Sequence, residues 1–175
     1  GKGSGAIAHE SDADTEMRVV RFEREGKKDV LMVNYQTHYG SVGSLYPDSV
    51  SADFVHWLRE DIEAEMDVHF AYHSGASANL NFNSALGDRK YKTLESASTA
   101  IAKTVIEATT TEEKANITSL QFENSSYAGK STGGKTKKAN FTACTIGDIG
   151  FVAAPYEMFD TNGQEIRAAS PCKMT

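Results

Sequence analysis

The stretch Asp29–Gln36 constrains this chain most, because Val30, Leu31, Met32 and Val33 are apolar on both faces of any extended segment. A strand whose two faces both avoid water has to lie in the middle of a covered sheet. Met17–Glu23, rich in Val and Phe, precedes it across the turn Glu25–Lys28, so the two form an antiparallel hairpin. With 175 residues the chain is long enough to bury a hydrophobic core.

Helical periodicity appears twice beyond this hairpin. Ser51 is read as the N-cap of a helix running to Glu65, with Phe54, Trp57, Leu58 and Ile62 on one face. A second helix spans Tyr91–Ala108, with Leu94, Ala97, Ile101 and Val105 in register. Val68–Tyr72, Ile117–Phe122, Phe141–Ile146 and Phe151–Ala154 read as strands. The order predicts an α/β fold, a mixed β-sheet with helices packed on it. Residues 1–14, glycine-rich and then acidic, read as a flexible leading segment, and 15–175 as part of one catalytic domain. Residues 124–138 read as a flexible basic loop.

Composition narrows the function classes. A net charge of -6 argues against nucleic acid as a partner of the whole molecule. No apolar run approaches the roughly 20 residues of a membrane-spanning helix, and the polar start Gly1–Gly5 does not read as a signal peptide. Compartment and oligomeric state are not set by the sequence. Cys144 and Cys172 match neither a redox pair nor a four-thiolate zinc site, leaving two buried structural thiols or one disulfide.

Two patterns bear on chemistry. Gly129–Thr136 satisfies the phosphate-loop expression G-x-x-x-x-G-K-[ST], which needs a strand leading in and a helix leading out. The residues that follow, Lys137–Thr142, read as a strand, so a basic hairpin loop explains them better than a nucleotide site. The second pattern is His38 and Glu157, each just past a predicted strand end. An imidazole and a carboxylate can bind zinc and leave room for a water. Asp53 can orient a ligand from behind. Taken alone, a His at a strand end is ordinarily a structural residue, as His56 and His69 are expected to be.

The ordered blocks Val33–His38, Ser51–Phe54, Gly75–Ala76 with Asn81, Pro155–Phe159 and Gly163–Arg167 resemble successive segments of the neutral/alkaline, non-lysosomal ceramidase family. The resemblance runs from about Met17 to Ser170 and is thin across 109–140. It implies the family's α/β catalytic domain, one catalytic Zn2+, and hydrolysis of a linear N-acyl amide. In the family that amide is ceramide, so sphingolipid metabolism and a small-molecule or lipid amide substrate are the corresponding expectations. By the same resemblance His38 and Glu157 are zinc ligands. The family's two other ligands, an earlier His and a later Tyr, have no counterpart in this chain, since His9 stands in the wrong context. The chain is therefore expected to be a piece of such an enzyme, with an incomplete site. Family members are often secreted or membrane-surface enzymes.

Asn81 stands where true ceramidases have a nucleophilic Ser, which shifts the expected attack to water activated by zinc. Asn81 and the backbone around Gly75 are then the expected oxyanion donors. His73 is open as general acid/base, spare ligand or structural residue. Ser74 and Ser77 lie near it without an evident base. Two rival readings stand beside the hydrolase: a non-catalytic binding domain of the same fold, and a nucleotide binder using Gly129–Thr136.

Overall fold

The computed structural model describes residues 13–42, 48–80 and 93–175. Its elements run β1 (Arg18–Phe22), β2 (Asp29–Tyr35), α1 (Phe54–Glu65), β3 (Val68–Ser74), α2 (Leu94–Ala108), β4 (Leu120–Lys130), β5 (Thr136–Ile146), β6 (Ile149–Ala153) and α3 (Asp160–Ala169). The chain has an α/β fold with helices packed on sheet. The strands divide into two three-stranded sheets, ordered β1-β2-β3 and β4-β5-β6. The first is mixed, β2 pairing antiparallel with β1 and parallel with β3; the second is antiparallel throughout.

β2 occupies the centre of its sheet, as its two-sided apolar pattern requires. Leu31 and Val33 are fully buried and pair with Phe70 and Tyr72 of β3. They meet Phe54, Leu58 and Ile62 of α1 and Val105 of α2 in one core. Each such side chain contributes roughly 1.5–3 kcal/mol by leaving water. The alternate residues Met32, Asn34 and His73 point to the other face, where they line an open cavity.

Some boundaries differ from expectation for local reasons. The cap of α1 is Asp53, not Ser51: the Asp53 carboxylate accepts the N–H of Phe54, while the Ser51 hydroxyl accepts the N–H of Asp53. α2 is capped by Thr93, whose hydroxyl accepts the N–H of Ser96 while the Ser96 hydroxyl accepts the N–H of Thr93. The 124–138 segment is mostly strand. β4 and β5 pair from Leu120↔Ile146 out to Lys130↔Thr136, leaving only a short turn in which Gly134 takes a φ of 75°. The phosphate-loop pattern is thus strand–turn–strand and opens no helix. Cys144 and Cys172 are free thiols and half-buried, so no disulfide joins them.

Candidate functional site

The cavity, about 820 Å³, lies at the carboxyl ends of β2 and β3 and is closed on its far side by β5, β6 and α3. Crevices at such strand ends are where α/β folds hold ligands. The Tyr35 carbonyl fixes the two strand ends together, accepting the N–H groups of Thr37 and Gly75 (both 3.0 Å) and the Tyr72 hydroxyl (2.9 Å). His38 follows directly on this clamp.

Glu157 reaches the same place from the other end of the chain. The N–H of Ala78 donates to the Met158 carbonyl at 2.9 Å, and Asn79 exchanges two hydrogen bonds with Asp160, which is almost fully buried. The loop after β3 therefore grips the segment carrying Glu157. As a result His38 Nε2 and Glu157 Oε2 stand 3.5 Å apart. Their side chains are 42% and 73% exposed, and an ion pair so open to water is worth at most about 1 kcal/mol. Stability alone does not account for bringing them together.

The other ring nitrogen of His38, Nδ1, is hydrogen-bonded to the Tyr39 carbonyl. In the neutral ring this contact puts the proton on Nδ1 and turns the Nε2 lone pair toward Glu157. An imidazole nitrogen and a carboxylate oxygen so placed can serve as two ligands of one metal ion, and both remain open to water. Tyr39 is itself held by its ring, stacked on Phe54 at 5.7 Å and edge-on to Tyr72 at 5.8 Å. Burial raises the phenol pKa of Tyr39, with the Asp53 charge adding to it.

Asp53 does not touch the His38 ring. Its carboxylate accepts the N–H of Val42 (2.7 Å) and of Gly40 (3.3 Å), so it holds the backbone just after His38 from behind. Asp53 has φ 58° and ψ -147°, a conformation costly for any residue but Gly. Three N–H donors on one carboxylate hold it there.

The remaining expected residues fall as follows. His73 is exposed and lines the same cavity as His38. The N–H of Gly75 is already taken by Tyr35, and Gly75 instead permits close packing: a Cβ there would lie 3.0 Å from Gln36 Cγ. Among the described residues, the backbone N–H groups of Ala76 and Ser77 in the cavity wall have no acceptor. The Ser74 and Ser77 hydroxyls pair at 3.0 Å. Asn81 lies outside the described residues. His56 and His69 are exposed and away from the cavity.

Two cavity residues to which the sequence assigns no role are Arg18 and Arg167. Their guanidiniums share the buried Asp14 carboxylate, which also takes the Gln36 amide. Burial lowers the Arg18 pKa, and the neighbouring Arg167 lowers it further. Arg167 ends the Gly163–Arg167 block, but no local pattern marks its partnership with Arg18 and Asp14, which meet it only through the tertiary fold.

The donor pair can be tested against zinc. With bond lengths of about 2.0–2.2 Å and tetrahedral angles, adjacent ligand atoms sit about 3.4 Å apart. The observed 3.5 Å fits two such positions. Among the described residues no group of three His, Cys, Asp or Glu side chains could hold a metal ion. Compared with protein-family models, curated proteins and solved structures, the chain matches none.

Proposed function

We propose that this chain carries part of a zinc-dependent amidohydrolase centre that cleaves a linear N-acyl amide, in the manner of the ceramidase-type enzymes its sequence blocks resemble. The observation that carries this reading is the His38–Glu157 pair, 3.5 Å apart, with the His38 tautomer set by Tyr39. His38 Nε2 and Glu157 Oε2 would hold the ion, joined by the earlier His and later Tyr that the resemblance implies. Zinc bound there supplies a Lewis acid that makes water nucleophilic near neutral pH. The free N–H groups of Ala76 and Ser77, in the backbone around Gly75, would donate to the developing oxyanion. His73, which lines the same cavity, would hand a proton to the leaving amine. Met32, Ile149, Phe151 and Met174 line the cavity with apolar surface suited to an acyl chain.

Metal analysis of the protein expressed from its complete reading frame tests this. One zinc per chain is expected, released on acidification as protons compete for the ligands. His38→Ala and Glu157→Ala should each abolish both zinc retention and release of fatty acid from an N-acyl amide. A zinc-free protein, or zinc retention indifferent to both substitutions, would favour the alternative of a non-catalytic binding domain.

A further inference from the structure

The β4–β5 hairpin is unlike the rest of this acidic chain. From Asn124 to Gly147 there is no Asp, Glu or Arg, yet there are four lysines, Lys130, Lys135, Lys137 and Lys138. All four are exposed. Lys28, Lys114 and Lys173 each pair with a carboxylate, whereas none of these four takes part in an ion pair among the described residues.

The register distributes their charge around the tip. Lys130 and Lys138 share one face of the ribbon, Lys137 lies on the other opposite Gly129, and Lys135 is in the turn. β6 pairs only with Thr142–Ile146, so the ribbon from Ser125↔Phe141 to Lys130↔Thr136 continues without a third strand. At about 3.3 Å per residue that is a projection of roughly 20 Å. The Debye length at physiological salt is about 8 Å, so the acidic body is largely screened from whatever meets the tip. Tyr127 is 66% exposed, and its ring folds over Gly129, where a Cβ would lie 2.8 Å from Tyr127 Cε1. The tip thus carries an aromatic ring beside its lysines.

We infer that this hairpin docks the protein on a membrane surface containing acidic phospholipid. Charge complementarity supplies the attraction, and an exposed tyrosine beside the lysines suits the headgroup layer, where aromatic side chains with a polar end settle. The absence of arginine weighs against nucleic acid. Lysines act on a diffuse layer of headgroups as point charges, whereas guanidiniums would be needed for forked recognition of individual phosphates and bases. This inference does not depend on the zinc centre.

The test is co-sedimentation with vesicles of phosphatidylcholine and phosphatidylserine, about 70:30, against phosphatidylcholine alone. Binding to the acidic vesicles alone, weakening as salt is raised, is expected. Each Lys→Gln substitution should weaken partitioning about fivefold, and Lys130, Lys135, Lys137 and Lys138 changed together several hundredfold. All four are exposed, so the variant should keep its circular dichroism and melting temperature. His38→Ala should bind vesicles like the wild type. No partitioning at 0.1 M salt, partitioning unaffected by the fourfold variant, or tighter binding to a duplex DNA than to acidic vesicles would overturn the inference.

Discussion

Replacing Asp53 by Asn changes no volume and removes one acceptor oxygen. The carboxylate serves Phe54 through Oδ1 at 2.8 Å and Val42 and Gly40 through Oδ2 at 2.7 and 3.3 Å. An amide that keeps the helix cap must turn its NH2 toward the Val42 and Gly40 N–H groups. The buried Val42 donor then loses its partner, which costs about 1–3 kcal/mol, and the charge-assisted part of the remaining bonds is lost as well. The expected destabilisation is about 2–4 kcal/mol. For a chain of 175 residues this lowers the melting temperature by roughly 5–15 °C. Urea denaturation with scanning calorimetry measures it. Loosening the backbone after His38 should also weaken zinc retention about tenfold or more. Comparing Asp53→Gly with Asp53→Ala isolates the backbone conformation, and the Gly variant should be the more stable by about 1–3 kcal/mol. An Asp53→Asn variant within about 0.5 kcal/mol of wild type would refute the reasoning, as would Gly and Ala variants of equal stability.

Gly163→Ala should destabilise by about 1–2 kcal/mol despite the better helix propensity of Ala, since the new Cβ would lie 2.7 Å from the Ala76 Cβ. Ala76→Gly in the same background should restore most of the loss, read by urea midpoints. Tyr72 is half-buried against the core, and desolvation raises its phenol pKa above the ordinary value near 10. The folded state therefore holds this proton more tightly than the unfolded chain, so its contribution is intact below about pH 10 and falls as the pH rises beyond it. Tyr72→Phe should cost about 0.5–1.5 kcal/mol at pH 8 and lose less stability than wild type between pH 8 and 11. Part of the alkaline loss should remain, because burial shifts Tyr35 and Tyr39 the same way.

What the sequence disclosed was mostly periodic. The two-sided apolar run in β2 and the stripes Phe54–Ile62 and Leu94–Val105 placed the core, because burial imposes its spacing directly on the chain. Helix α3 escaped notice because Gly163 stands inside it and Phe159 gives its start no side-chain cap. Of the β4–β5 hairpin the basic turn was legible, but the reach of its strands to Lys130 and Thr136 escaped for a different reason. Its Gly, Ser and Lys residues have little preference for extended structure, and each strand is held mainly by the other. His38 and Glu157 were marked by strand ends and by the order of the blocks around them. Their contact depends on the Ala78–Met158 and Asn79–Asp160 hydrogen bonds, which no local pattern announces.

The Asp14 cluster carries a consequence for the order in which the molecule is built. Asp14 joins the beginning of β1 to α3 through Arg167, and its own N–H donates to Asp160. These contacts close almost the whole chain into one loop, and the pairing of His38 with Glu157 closes a shorter one inside it. Hairpins and helices can form while synthesis is under way, but contacts between distant parts of a chain bear the full entropy of loop closure and form slowly. A nascent chain that has emerged only as far as α2 can assemble β1–β3 with their helices, while Asp14 still lacks Arg167 and His38 still lacks its carboxylate. The pocket is therefore among the last features to mature, and amide exchange during refolding should show α3 and the loop after β3 gaining protection together, after β2 and α1.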